Sequence, residues 1–261
     1  MSLVRIDDRG AVRHLVLNRP EKRNALNREL IEALGRELQA AASDQSVRCV
    51  VLQGEGAMFS SGMDFGELRA LAEHPERLRE LRAGILAAWN LCEEMPKPTI
   101  AQIHGACIGG ALELALACDL RTIAEEAAVG LVETRVGLIP DVGGSSRLPA
   151  IVGVGRAKEL IMTSKLIDGR QAERIGLANR VAPAAELDRA TEELVAELLA
   201  CSPAAIGAAK RVIDAAARPT LSASLELEVA AQAACAASAD FDQATRALAE
   251  KRQPDFSLPD R

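Results

Sequence analysis

Two glutamates and two glycine-broken turns are the parts of this sequence best suited to chemistry. Glu113 closes the stretch His104-Gly105-Ala106-Cys107-Ile108-Gly109-Gly110-Ala111-Leu112-Glu113, and Glu133 follows in Gly130-Leu131-Val132-Glu133-Thr134-Arg135. If both carboxylates face one cleft, they form a general acid/base pair able to hold a water between them. Gly105, Gly109 and Gly110 let the backbone turn tightly and leave its N–H groups uncovered by side chains. A helix beginning near Gly110 aims its first free N–H groups, with their partial positive charge, out of the turn, where an oxyanion can be held. Glu113 lies one helical turn further on, so its carboxylate falls on the same face. A second glycine-broken loop, Phe59-Ser60-Ser61-Gly62-Met63-Asp64, follows a different strand. Two such loops at the same end of neighbouring strands can each offer one N–H to one oxygen and so polarise a carbonyl. Taken alone, the His104 to Glu113 stretch also reads as a strand–turn–helix joint whose glycines serve packing.

The elements that must position these groups follow from periodicity. Residues 2–7 and 11–17 read as two short strands around a turn at Asp7-Asp8-Arg9-Gly10. Asn27 is an N-cap candidate for a helix with Leu30, Ile31, Leu34 and Leu38 on one face. Residues 47–52 form the next strand, and Leu78, Leu81, Ile85, Leu86 and Trp89 mark a helix stopped by Pro96 and Pro98. Residues 98–103 read as a buried strand leading into the glycine turn, and residues 116–123 as another strand. From Gly155 the chain turns helical, with an amphipathic stripe at Leu187, Leu194, Val195, Leu198 and Leu199, and with Pro203 and Pro219 at helix starts. An α/β core with a helical C-terminal appendage results.

Composition narrows the function. The chain has 261 residues with 49% hydrophobic and 26% charged side chains, an ordinary globular balance. A net charge of −6 argues against nucleic acid as the main partner, because backbone binding needs a basic face. Aromatic residues are 2% with no tyrosine, so base-stacking platforms are not expected. The six cysteines (Cys49, Cys92, Cys107, Cys118, Cys201, Cys235) show no metal-ligand spacing and read as free thiols of a reducing compartment. No metal site is expected. No signal peptide opens the chain and the longest uncharged run is too short to span a membrane, so a cytoplasmic protein without membrane partners is expected. His14, His74 and His104 are scattered, and GxSxG, P-loop and GxGxxG patterns are missing, which removes hydrolase, NTPase and dinucleotide readings.

Taken together, the motifs resemble the crotonase, or enoyl-CoA hydratase/isomerase, superfamily. The resemblance runs through Leu17-Asn18-Arg19-Pro20 with Asn24-Ala25-Leu26, the Phe59 to Asp64 loop, His104 to Glu113, and Ala117-Cys118-Asp119. It continues through Gly137-Leu138-Ile139-Pro140 with Gly143-Gly144 and Arg147-Leu148, Thr163-Ser164, and the ending from Phe241 to Phe256. It implies a spiral of ββα turns over residues 1–195, followed by a helical trimerisation segment over residues 196–261. It also implies an acyl-CoA thioester substrate, with coenzyme A part of the substrate and no separate cofactor, and a homotrimer or dimer of trimers.

By the same resemblance the oxyanion hole matches the N–H groups of Met63 and Gly110, and the two hydratase glutamates match Glu113 and Glu133. Arg23, Asn24 and Ala25 would lie near the CoA moiety, and Met63, Asp64, Phe65 and Gly66 along the acyl-CoA channel. The expected reaction is hydration of a trans-2-enoyl-CoA. The alternatives are an enoyl-CoA or dienoyl-CoA double-bond isomerase and a non-catalytic or RNA-associated member of the fold. Two positions depart from the hydratase pattern. Met63 stands where a smaller residue is frequent. Asp141 adds a third carboxylate where hydratases have glycine and dienoyl-CoA isomerases have aspartate, although those isomerases carry Asp at the position of Glu113. An Asp just before Gly143-Gly144 and Ser145 is also placed to cap the next helix, and capping is the expected role of Asp141.

Overall fold

The first two strands, β1 (Val4–Arg9) and β2 (Val12–Leu17), pair antiparallel with Val4 opposite Leu17 and Arg9 opposite Val12. This computed structural model describes residues 2–217 and 220–254; Pro219 and Phe256, singled out in the sequence, lie outside them. The hairpin turns at Gly10-Ala11, later than the sequence suggests. Asp7 and Asp8 belong to β1 because this edge strand is solvent-facing, and Asp8 forms a doubly bonded ion pair with Arg13 across the hairpin.

The chain then climbs in strand–helix steps. Helix α1 (Arg28–Ser43) starts where the Asn27 side chain accepts the Leu30 N–H, and it buries Leu30, Ile31, Leu34, Leu38 and Ala41. It leads to β3 (Cys49–Gly54), then α2 (Phe65–Glu73) and α3 (Leu78–Glu94). After these come β4 (Thr99–Ile103), β5 (Ala106–Ile108), α4 (Gly110–Ala117), β6 (Leu120–Ala124) and β7 (Ala128–Gly130). Helices α5 (Gly144–Val152), α6 (Val154–Met162) and α7 (Gly169–Arg174) precede the short β8 (Arg180–Ala182). One sheet has the order β1-β2-β3-β4-β6-β8, parallel from β2 onward, and β5 pairs with β7 in a second, parallel sheet. Bridges from Ser60 to Cys107 and from Val129 to Ile167 extend the second sheet in the same order of steps. Each turn of the spiral is therefore two strands, one in each sheet, and a helix.

The run read as a strand over residues 116–123 divides differently. Helix α4 holds Leu116 and Ala117, and the strand begins at Leu120. Asp119 sits between them, where its Oδ2 accepts the Thr99 N–H at 2.7 Å. A short apolar run carries no period that separates buried helix from buried strand.

The main core gathers Leu15, Leu17, Leu34, Leu52, Phe59, Trp89, Ile103 and Leu114 between the sheet and the helices. On the other face, α8 (Leu187–Leu199) lays Leu194 and Val195 against Val12, Cys49, Val51 and Ile100. The sequence division after residue 195 falls inside this continuous helix. Helices α9 (Pro203–Ala217), α10 (Leu221–Ala236) and α11 (Ala239–Ala249) follow. Phe241 and Ala236 pack with Leu138, with Leu68 and Ala72 of α2 alongside, so the last two helices and α2 meet over the loop that follows Glu133. Among the described residues, no helix is long and apolar enough to cross a membrane, and no group of His, Cys, Asp or Glu is arranged to hold a metal.

Candidate active site

All eight residues of α4 are buried, so this helix is enclosed on every side and Glu113 is buried with it. A helix apolar all round belongs in a core, and a carboxylate there needs partners to replace water. Glu113 finds them at the start of α5: its Oε1 accepts the N–H of Val142 at 2.9 Å and of Gly144 at 2.8 Å. This close approach requires glycine at 144, because a Cβ there would lie 2.8 Å from that oxygen and 2.6 Å from Pro140 Cβ.

The turn before α4 brings in the second glutamate. Gly109 has φ of +57°, and a Cβ on it would sit 2.9 Å from Glu133 Oε1. A side chain at 109 is excluded by both backbone and space. Glu133 lies in a single 3-10 turn (Glu133–Val136), and its Oε2 is buried with no hydrogen-bond partner in the protein. A buried oxygen left bare is costly unless something else fills its place.

Beside this turn lies the other glycine-broken loop. A Cβ on Gly62 would be 2.5 Å from Ile108 O and 3.8 Å from Gly109 Cα, so the two backbones are neighbours, and the Met63 side chain reaches to Gly110. Gly62, Asp64 and Gly109 all donate their N–H groups within the fold, to Ser60 Oγ, Leu26 O and Gly130 O. The N–H groups of Met63 and Gly110 donate to nothing among the described residues. Two unpaired donors on adjacent segments, one of them at a helix N-terminus, are what a carbonyl gaining negative charge needs.

Met63, Glu113, Glu133 and Asp141 line one cavity of about 60 Å³, walled by Leu68, Leu71, Leu78, Leu81, Ile85, Leu138 and Val142, with Arg82 and Gln232. Asp141 is the correction here. Its side chain enters this cavity and does not cap α5, whose N-cap residue Gly143 has no side-chain partner of that kind. The N–H groups at that helix start are taken by Glu113 and by Glu228 of α10, which accepts from Gly143 at 2.9 Å. With those donors occupied, Asp141 is left facing Arg82, Nε to Oδ2 3.8 Å.

Burial governs the titration of the cavity. It pushes the Glu133 carboxyl up to about 7, with the residue's own backbone amide opposing and Asp141 adding to the rise. Asp141 is likewise pushed up to about 7 by burial, opposed by Arg82 and reinforced by Glu228. Glu113 is raised well above the carboxylate range by burial and then by Glu133, Asp141 and Glu228. Carboxyls poised near neutrality, next to unpaired N–H donors, can exchange protons with a bound carbonyl compound or a water.

The remaining residues singled out in the sequence lie on two adjoining segments. Ser61 N donates to Arg23 O and Leu26 N to Gly62 O, which sets residues 23–26 against residues 61–64. Arg23 and Asn24 both take the left-handed conformation, with φ of 55° and 52°. Asn24 is wholly buried, and its amide donates to the carbonyls of Glu55, Met58 and Phe59, so its side chain shapes this loop from inside. Ala25 is buried, and its carbonyl accepts from Arg19 Nη1. Asp64 caps α2 through the Gly66 N–H and pairs with Arg19, while Phe65 is exposed. None of these six residues lines the 60 Å³ cavity.

Arg82 and Glu228 were missed. Arg82 lies on the apolar face of α3 with Leu78, Ile85 and Trp89, and Glu228 lies on the buried face of α10 with Leu225, Val229 and Gln232. A charge inside an apolar stripe is the signal that finds Arg82, whereas α10 has no separate apolar face in its sequence and gives no such signal for Glu228.

Comparison with known proteins agrees with this geometry. The chain is 37% identical over 257 residues to the enoyl-CoA isomerase/hydratase fer4 of Mycosarcoma maydis, covering 94% of this chain and 92% of that protein. It is 30% identical to the peroxisomal Delta(3,5)-Delta(2,4)-dienoyl-CoA isomerase of Arabidopsis thaliana, covering 98% and 96% of the two chains. The solved structure of an enoyl-CoA hydratase from Mycobacterium avium subsp. paratuberculosis K-10 matches with a TM-score of 0.87 at 28% identity, covering 98% of this chain and 99% of that one. The pattern of the family described as enoyl-CoA hydratase/isomerase spans residues 7–259. The fold, the paired N–H donors and the buried carboxylates thus meet in one chain, which belongs to the enoyl-CoA hydratase/isomerase (crotonase) family.

Proposed function

We propose that this protein is an enoyl-CoA hydratase, adding water across the 2,3 double bond of a trans-2-enoyl-CoA. One observation carries this reading: two glutamates line the cavity beside the unpaired Met63 and Gly110 N–H groups, one anchored through a single oxygen and the other with a bare oxygen. The thioester oxygen accepts from the two N–H groups, which stabilise the enolate charge as it forms. In the reactive form the one proton shared by the pair sits on Glu133 and Glu113 is ionised. Glu113 is fixed through Oε1, so its Oε2 orients the water and takes its proton as the water oxygen bonds to C3, and that proton returns to Glu133 before the next turnover. Glu133, with its carboxyl near 7, gives a proton to C2. The CoA moiety belongs along residues 23–25 and 63–66, outside the cavity, and coenzyme A enters and leaves with the acyl group. As in the family at large, we take the working assembly to be a trimer or a pair of trimers.

A second reading is favoured by Asp141. Two carboxyls of similar proton affinity in one cavity, Glu133 and Asp141, suit the transfer of a proton between the ends of a conjugated system. This is the work of a dienoyl-CoA isomerase. The relatives are named for both reactions. Assaying one preparation with crotonyl-CoA and with a 3,5-dienoyl-CoA separates the two. Hydration of the first with little isomerisation of the second is the expected result; the reverse replaces the hydratase reading.

A further inference from the structure

Helix α10 turns Leu225, Val229 and Ala236 inward, and Glu228 and Gln232 are buried among them. A carboxylate on a buried helix face requires partners, and those of Glu228 all bear on one loop. Its Oε2 accepts the Gly143 N–H at 2.9 Å, its Oε1 accepts from Ser146 Oγ at 2.5 Å, and Arg82 Nη2 is 3.7 Å from Oε2. The N–H groups on either side of Gly143 go to Glu113. Three successive N–H groups are thus divided between two carboxylates from different helices, α4 taking the first and third and α10 the second. Arg82 closes the set: its Nε donates to Asp141 O at 2.7 Å, and its Nη2 donates to Leu225 O in α10.

We propose that Glu228 is a positioning residue for the active site, clamping residues 140–144 from α10 so that Val142 and Gly144 present their N–H groups to Glu113 while Asp141 points into the cavity. The proposal rests on the reading that this cavity is the acyl site. Gly143 has φ of +108°, a conformation from which its flanking peptides turn easily once a bond is lost. The peptide joining Val142 to Gly143 is held at both ends: Arg147 Nη1 donates to its oxygen, Val142 O, at 3.0 Å, and Glu228 accepts its N–H. Without Glu228 the middle donor is unpaired and the peptide keeps only its carbonyl bond to Arg147, so it can tilt about that bond and pull the adjacent donors off Glu113.

The test uses the full chain with three variants. Turnover by the wild type and its loss in Glu133→Gln support the site reading; retention in Glu133→Gln sinks that reading and this inference with it. Against that scale Glu228→Ala should lower kcat about 10²-fold, the cost of a misplacement of about 1 Å. Its KM should stay within about threefold, because substrate contacts are untouched. Glu228→Gln keeps an oxygen for the Gly143 N–H and an amide for Ser146, and should restore most of kcat. It also removes a negative charge that faces Arg82 from α3, Asp141 from the loop and Glu113 from α4. The acid limb of its pH profile should therefore move to lower pH, by roughly one pH unit. A purely structural role predicts a lower melting temperature with unchanged kcat and pH profile in the folded variants. That result overturns the proposal. Because the Gln variant preserves side-chain shape, its pH profile decides the matter even if Glu228→Ala does not fold.

Discussion

Replacing Asp141 with Asn tests the site and the energetics together. The substitution conserves shape and removes only the ability to ionise, in a side chain that is 13% exposed and 3.8 Å from Arg82. Burial raises this carboxyl from 3.8 to about 7. At about 1.36 kcal/mol per pH unit, holding Asp141 ionised in the fold costs on the order of 4 kcal/mol. The sign follows from linkage. Below about pH 4 the group is protonated both folded and unfolded and contributes nothing. As pH rises through the unfolded value, the unfolded chain ionises first and stability falls, levelling off above about 7. Asp141→Asn should therefore match the wild type in stability near pH 4 and exceed it increasingly up to pH 7. At about 2.1 cal/mol/K per residue of unfolding entropy, a gain of that order lifts the melting temperature by roughly 7 °C at pH 8. Thermal melts across the pH range provide the measurement, and crotonyl-CoA hydration provides the companion assay. On the hydratase reading kcat at pH 8 changes by less than about tenfold. The alkaline limb moves down, because the Asp141 charge that raises the proton donor Glu133 is gone. A melting temperature that does not rise at pH 8 refutes the burial argument. A hundredfold loss of hydration in a variant that melts no lower than wild type makes Asp141 a catalytic base.

Glu113→Gln and Glu133→Gln should each lower turnover by roughly 10²–10⁴-fold with acyl-CoA affinity little changed, and near-normal kcat in either removes that residue from the mechanism. Gly110→Pro deletes an oxyanion donor worth roughly 3–4 kcal/mol of barrier, so a variant that is folded by circular dichroism and still fully active would show that this N–H does not contact substrate. Gly144→Ala places a methyl 2.8 Å from Glu113 Oε1. It should cut kcat more than KM, and unchanged kinetics would mean the loop relaxes freely. Light scattering should find a trimer or a multiple of it, and a stable, active monomer would contradict the proposed assembly.

Local signals in the sequence located both glutamates, both N–H turns, and helices α1, α3 and α8, because glycine spacing, an Asn N-cap and a 3.6-residue stripe are written within a dozen residues. What stayed hidden is long-range. Asp141 reads as a cap because Asp before a glycine pair and a helix is a sound local pattern. The N–H groups it would have taken go to Glu113 and Glu228, 29 and 85 residues away from their donors. Asn24 reads as a loop residue near a ligand, yet its amide closes three carbonyls of the 55–59 segment, a bond set no neighbouring residue announces. Arg82 is legible as a charge out of place on the apolar stripe of α3, but α10 has no such stripe to make Glu228 stand out. Both act on one loop that only the packing of α3 and α10 brings to them.

The complete enclosure of α4 has a consequence for how this protein can change. Its amide protons, apart from those at the first turn, should exchange only when the whole domain opens, so that hydrogen exchange there is expected to report global rather than local stability. Glu113 is thus carried on a fully buried helix, where a substitution is expected to lower the yield of folded protein before it alters the site. The cavity wall contributed by α2 and α10, with α11 packed behind it, is different. These helices meet through a small cluster at Leu138, Ala236 and Phe241, separate from the main core. On the proposed function, variation that alters which acyl group is accepted can accumulate there at little cost to folding, while the proposed proton-transfer groups are carried by the core of the fold.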